Sequence, residues 1–305
     1  MKRDFLRLSD FKSDEYAALF KRTADLKAGR KSGAIVRTLT AKTLLLLFEK
    51  NSTRTRLSFE AAISQLGGTA ISLPLQESQV SRGESLADTA RVASRYVDAI
   101  VFRTHGDERL TELAKAATVP VINGLSDGGH PVQLLADLFT INERFRGIRG
   151  RTVAWIGDGA SNMASSWIEA APIFGFTLRM CTPEGFRPKK PGTFEVVNTP
   201  AQAVRGAHVI TTDVWVSMGQ ESQAAERKQA FKGYQVDGDL LIMAPPEAIV
   251  LHCLPAHRGE EISAAVLDGP RSAVLDEAEN RLHVQKALLE MLMVEPRPTT
   301  AMPRR

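Results

Sequence analysis

The stretch TLLLLFEKNSTRTRLSFE, residues 43–60, changes character twice. Leu44 to Leu47 form a short apolar run that reads as a strand buried on both faces. Ser52, Thr53, Arg54, Thr55 and Arg56 follow without a spacer. From Arg56 to Gln65 the pattern turns helical. Strand, polar loop and helix make one βα unit, and its loop presents free backbone N–H groups at the positive end of a helix dipole.

The same alternation runs outward in both directions. TAISL (69–73), DAIVF (98–102) and VPVIN (119–123) read as further strands, with helical segments over 86–96 and 110–117. The second half repeats the style. TVAWIG (152–157), TLRMC (177–181), HVITT (208–212), AIVLHC (248–253) and SAVLD (272–276) read as strands, with helices in SSWIEAAPIF (165–174) and over 281–293. Doubly apolar runs separated by helices predict an α/β fold of two mainly parallel sheets flanked by helices. Leu134, Leu135, Leu138 and Ile141 recur at helical spacing, and FRGIRGR (145–151) breaks that helix. The boundary between two domains falls near residue 147, giving 1–147 and 148–293. VEPRPTTAMPRR (294–305), with three prolines and little apolar content, reads as a disordered tail.

Composition narrows the function classes. The chain has 305 residues, 43% of them hydrophobic, enough for two cores. No apolar run reaches the ~18–20 residues of a membrane span, and the start MKRDFLRLSD has no signal-peptide core. Cys181 and Cys253 are the two cysteines, so a disulfide framework is not expected and a reducing cytoplasm fits. The net charge of +4 is dispersed and aromatics are 6%, which gives no basic-aromatic groove for nucleic acid. The charge suits small anionic substrates, or marks solubility alone.

Ligands of open parallel sheets sit beyond the carboxyl ends of strands. Hydroxyls and guanidinium forks after the first strand suit phosphate oxygens, although GxxxxGK[ST] is absent. The plainer reading is a helix cap followed by two surface arginines. Arg103 stands just past a strand in VFRTHG, His130 opens HPVQ after a Gly-rich turn, and Gln133 follows one helical turn later. Each alone has an ordinary surface reading. Together they put polar, mostly cationic side chains at three strand ends.

FEKNSTRTRLSFE, ESLADTARV and HPVQLLAD resemble the carbamoyl-phosphate half of the aspartate and ornithine transcarbamylases. The resemblance spans nearly the whole chain, to about residue 293. It implies that Ser52, Thr53, Arg54 and Thr55 bind phosphate. Arg103 would bridge phosphate and carbonyl oxygen, His130 would donate to that oxygen, and Gln133 would accept from the carbamoyl NH2. Domain 1–147 would hold carbamoyl phosphate and domain 148–293 the acceptor.

Three stretches of the second half address the acceptor: GDGASNMASS (157–166), DVWVSMGQE (213–221) and LHCLPAHRG (251–259). GDGASN partly mimics a dinucleotide loop, but Asn162 replaces the third glycine and no acidic ribose partner follows, so NAD is not expected. The other two resemble the ornithine members of the family. They imply that Asn162, Asp213, Ser217 and the backbone at Met218 hold L-ornithine, under a flap hinged at Gly219. Cys253 is either an inert buried thiol or a neighbour of the attacking amine, with Leu254 beside it at the carbamoyl phosphate. By the same resemblance Arg281, expected to begin the last helix, reaches back to the carbamoyl oxygen. The last helix and the one after His130 would cross between domains. Gln79, in QESQVSRGES, would reach the site of a neighbouring subunit in a homotrimer or a multiple of it; the alternative is a plain mobile loop. The implied reaction is carbamoyl transfer to ornithine, giving L-citrulline and phosphate. No cofactor is expected and no metal, since the cysteines and histidines lack zinc-site spacing.

Overall fold

The computed structural model describes residues 2–217, 219 and 221–294. The first half runs α1 (Ser13–Lys31), β1 (Thr43–Phe48), α2 (Thr53–Gln65), β2 (Thr69–Pro74), α3 (Leu86–Ala93), β3 (Ala99–Arg103), α4 (Asp107–Ala116), β4 (Val121–Leu125) and α5 (Pro131–Phe145). The second half runs β5 (Thr152–Ile156), α6 (Asn162–Phe174), β6 (Thr177–Cys181), β7 (Glu195–Val196), α7 (Pro200–Val204) and β8 (Val209–Thr212). It ends with α8 (Ala224–Ala230), α9 (Gly238–Ile242), β9 (Ile249–His252), α10 (Ala264–Leu267) and α11 (Val274–Met293).

The first sheet has the order β2-β1-β3-β4 and the second β7-β6-β5-β8-β9; all pairings are parallel. The second sheet thus repeats the order of the first, with β7 added at one edge. In each sheet the chain first steps to one side of its opening strand and then to the other. That reversal opens a crevice beyond the carboxyl ends of β1 and β3, and another beyond β5 and β8. Leu44 to Leu47 are buried on both faces, because helices cover the sheet from both sides. At about 25 cal/mol per Å², each such leucine contributes roughly 2 kcal/mol of burial.

Two helices join the halves. α5 ends at Arg146, whose φ of 54° is left-handed and turns the chain out of the helix. α11 starts beside β9 and runs back against α1, α2 and α5 of the first half. No helix among the described residues is long and apolar enough to cross a membrane.

Three expectations need correction. SAVLD is not a strand: Ser272 makes a single bridge to Val250, and α11 begins at Val274. Leu275 is 80% exposed, so the run lacks the two buried faces of a central strand. Asp276 and Glu277 in the first turn favour a helix start. Arg281 consequently sits two turns inside α11, on the same inward face as Val274 and Glu277. The sequence reading assigned nothing to residues 13–31, where α1 lies. Its buried Tyr16, Leu19, Phe20, Thr23 and Leu26 follow helical spacing among many charged residues. The expected tail falls outside the described residues beyond Val294.

Candidate active site

The carboxyl ends of the two sheets face each other across a cleft of about 440 Å³. Ser52, Thr53, Arg54, Thr55, Arg103 and His130 line it from the first half. Asn162, Asp213, Ser217, Cys253, Leu254 and Arg281 line it from the second. Gln133 lies just behind Arg281. Gln79 is exposed in the turn Gln79–Arg82 and does not reach this cleft. Met218 is outside the described residues.

The opening stretch serves both of its readings. Ser52 caps α2, its Oγ accepting the Thr55 N–H at 3.3 Å, a contact worth about 1 kcal/mol. The cap also fixes the helix N-terminus toward the cleft. Thr55 is buried, and its Oγ1 accepts from Arg281 Nη2 at 2.7 Å. Arg54 faces the cleft, whereas Arg56 turns aside to Glu60 at 2.9 Å. Arg56 therefore lines a neighbouring cavity of about 430 Å³ on the other side of the loop. That cavity lacks the convergent buried cations of the main cleft.

Arg103 ends β3 and Arg281 comes from α11; they are 8% and 3% exposed. Burial lowers each guanidinium to about 10, helped by the charge of Arg281 at Arg103 and by that of Arg54 at Arg281. His130 is buried beside them. Desolvation and the charges of Arg281, Arg103 and Arg54 hold its imidazole well below the usual histidine range. At neutral pH it is uncharged and retains one N–H to donate. Its backbone N–H donates to Ser166 Oγ of α6 at 2.8 Å, which ties α5 to the second half. Arg103 Nε, His130 Nδ1 and Arg281 Nε are buried without hydrogen-bond partners. Unsatisfied donors crowded among cations make a site that an anion stabilises.

The facing wall has opposite character. Asp213 follows β8, accepting from Val214 N–H at 2.8 Å and from Cys253 Sγ at 3.2 Å. Burial raises the Asp213 carboxyl. Burial first, and then Asp213 and Glu277, raise the Cys253 thiol well above its ordinary value. Cys253 is thus a protonated thiol that donates to Asp213, not a thiolate nucleophile. Next to it Leu254 has a left-handed φ of 54°, a strained backbone for a residue with a Cβ. Its N–H donates to His252 Nδ1 at 2.9 Å, which holds the turn. Gly219, in the predicted flap, has φ 89° with open space where a Cβ would stand.

The sequence reading missed several groups. His252 sits inside the quoted HCLP motif yet points away from Cys253, as strand alternation demands. With Nδ1 accepting, its proton is on Nε2, which donates to Glu261 Oε1 at 3.1 Å. Both residues are fully buried. Glu261, nine residues on, had no local spacing to reveal it. Asp137 and Glu277 were visible in principle, each four residues from a residue that was named. Among the described residues one group, His257 with Glu260 and Glu261, brings three metal-ligand atoms together. Lys228 already holds Glu260 at 2.6 Å, and His252 with the His257 N–H holds Glu261.

Fold and site together define a two-sheet α/β protein whose cleft has a buried cationic wall and, facing it, an acid and a thiol. The chain belongs to the aspartate/ornithine carbamoyltransferase family. Residues 3–143 match the family's carbamoyl-P binding domain and residues 149–292 its Asp/Orn binding domain. The ornithine carbamoyltransferase of Chromobacterium violaceum is 50% identical over 299 residues, covering 96% of this chain and 97% of that protein. The anabolic ornithine carbamoyltransferase of Pseudomonas aeruginosa is 51% identical over 297 residues, covering 95% and 97%. The solved ornithine carbamoyltransferase of Pyrococcus furiosus superposes with a TM-score of 0.91 at 47% identity, covering 96% of this chain and 97% of that one.

Proposed function

We propose that the protein is an ornithine carbamoyltransferase, converting carbamoyl phosphate and L-ornithine to L-citrulline and phosphate. The observation that carries this reading is the pairing of an arginine-rich, donor-lined wall with an Asp213–Cys253 wall in one cleft. Carbamoyl phosphate lies with its phosphate on the α2 N-terminus, Ser52, Thr53, Thr55 and Arg54. Arg103, Arg281, Thr55 and neutral His130 direct donors to its carbonyl oxygen. Gln133 approaches the carbamoyl NH2 from behind Arg281. Ornithine enters beside Asn162, Asp213 and Ser217.

The δ-amine, with an ordinary pKa near ~10.4, must lose a proton before it attacks. Desolvation against Cys253 and Leu254 favours the neutral amine. Its lone pair adds to the carbamoyl carbon and the carbonyl π electrons move onto oxygen. The donors around that oxygen then gain strength, which lowers the barrier. Collapse breaks the carbon–oxygen bond to phosphate as the positively charged nitrogen of the adduct passes its proton to the departing phosphate, which leaves as the hydrogen phosphate dianion that the arginines stabilise. The same reading divides the chain near residue 147 into a carbamoyl-phosphate domain and an ornithine domain. It places the enzyme in the cytoplasm, on the biosynthetic side of arginine metabolism, as a homotrimer. Gln79 completes a neighbour's site, which suits its exposed position outside its own cleft.

Purified protein is assayed for product with carbamoyl phosphate and L-ornithine, beside putrescine, N-acetylornithine and aspartate. Ornithine-specific citrulline formation is expected. Turnover with another acceptor overturns the ornithine assignment alone. Absence of turnover in folded protein that binds carbamoyl phosphate overturns the enzymatic reading.

A further inference from the structure

Behind the cleft, where α5 packs on α11, lies a buried polar cluster whose carboxyls, Asp137 and Glu277, contact neither proposed substrate. Asp137, Gln133 and Glu277 are each 1% exposed. Gln133 Nε2 donates to Asp137 Oδ1 at 2.8 Å and to Glu277 Oε1 at 2.6 Å. Since carboxyl oxygens accept the NH2, the orientation of the Gln133 amide is fixed. Its Oε1 faces the other way and accepts from Arg281 Nη1 at 2.7 Å. Arg281 Nη2 in turn donates to Thr55 Oγ1 in the phosphate loop. On the opposite side Glu277 Oε2 accepts the His252 N–H at 2.9 Å, one residue before Cys253. One cluster therefore anchors a residue from each wall of the cleft.

Two ionised carboxylates cannot share one NH2 group in a site closed to water, because like charges at this separation repel strongly. A single cation, Arg281, stands against them on the same helix. The other titratable groups facing the cluster are Cys253 and His252, after and within β9. One turn along the helices, Lys27 of α1 and Glu143 of α5 pair with each other across Asn280. They balance one another and add no net charge. Charge balance inside the cluster then requires one negative charge, not two.

We infer that Asp137 and Glu277 are positioning residues for carbamoyl transfer: a carboxyl pair sharing one proton that orients Gln133 and, through it, Arg281. With one proton the pair is a hydrogen-bonded strut whose single charge matches Arg281. With none, the second charge draws Arg281 inward, off Thr55. Burial raises both carboxyls, and at Glu277 the charge of Asp137 raises it further, in keeping with a retained proton.

This inference rests on the carbamoyl-transfer reading, so its test begins with a readout that needs no turnover. Infrared difference spectra near pH 8, wild type minus Asp137→Asn and wild type minus Glu277→Gln, are expected to show the carbonyl stretch of a protonated buried carboxyl. Its absence from both overturns the shared proton. Citrulline turnover then tests positioning. Each single amide variant leaves one carboxylate to balance Arg281 and is expected to keep kcat within about threefold of wild type. The double variant Asp137→Asn/Glu277→Gln leaves none and is expected to lose at least about tenfold beyond the product of the single effects, in kcat rather than in either KM. Single variants as damaged as the double, or a double variant as active as wild type, overturn the proposal. A wild type that shows the carboxyl band but makes no citrulline retires the functional reading and leaves the proton-sharing pair standing.

Discussion

The two sheets share one strand order, yet their carboxyl ends carry opposite chemistry. The first presents Arg54, Arg103 and neutral His130 with unsatisfied donors. The second presents Asp213 and a protonated Cys253 bonded to each other. Topology supplied the same crevice twice, and side chains at strand ends gave one wall buried cations and the other a carboxyl and a thiol. The first wall is frustrated by mutual repulsion of its cations and gains from a bound dianion. The second satisfies its own hydrogen bonds, with Asp213 accepting from Val214 N–H and Cys253. Such a difference accords with carbamoyl phosphate docking on the first wall independently of the acceptor.

The strongest way to break this comparison is Arg103→Ala. It removes a buried cation from the reacting oxygen and is expected to cost about 10³-fold in kcat/KM, roughly 4 kcal/mol. Titration calorimetry should show weakened carbamoyl phosphate binding as well. Asp213→Asn probes the other wall. It is expected to lower turnover by about 10²-fold while carbamoyl phosphate binds as in wild type. Weakened carbamoyl phosphate binding in that variant would contradict the division of labour. Mixing Arg103→Ala with Gln79→Ala subunits sharpens it further. If Gln79 serves a neighbour, dissociation and reassociation of the mixture should restore part of the activity that neither parent shows.

Asp137 offers a test through pH. Burial raises its carboxyl to about 7, against about 4 in an unfolded chain. The folded state therefore holds this proton more tightly. Its contribution to stability is full below about pH 4 and is lost as pH rises toward about 7. Asp137→Asn has no proton to lose. Its stability relative to wild type, from urea unfolding, should rise by about 1–3 kcal/mol between pH 4 and pH 7. A flat difference would place the charge elsewhere. The smallest effect is expected from Arg56→Ala, whose side chain pairs with Glu60 at the surface. It should move the carbamoyl phosphate KM by less than about threefold, in contrast with its neighbour Arg54.

Much of this protein was legible as sequence. Apolar runs such as TLLLLF bounded by polar loops announced parallel strands, because strands buried on both faces read that way. Residues just past those strands named most of the cleft, because a parallel sheet collects its loops at one end. SAVLD misled because five residues cannot distinguish a strand from the first turn of a helix. Tertiary structure alone decided which polar residue meets which. It turned Arg56 to Glu60 and Arg54 to the cleft, joined His252 to Glu261, and set Asp137 against Glu277 from helices 140 residues apart. Periodicity fixes the face a residue occupies on its own element. Its partner, its protonation and the direction of its hydrogen bonds depend on packing between elements, where desolvation and nearby charge are set.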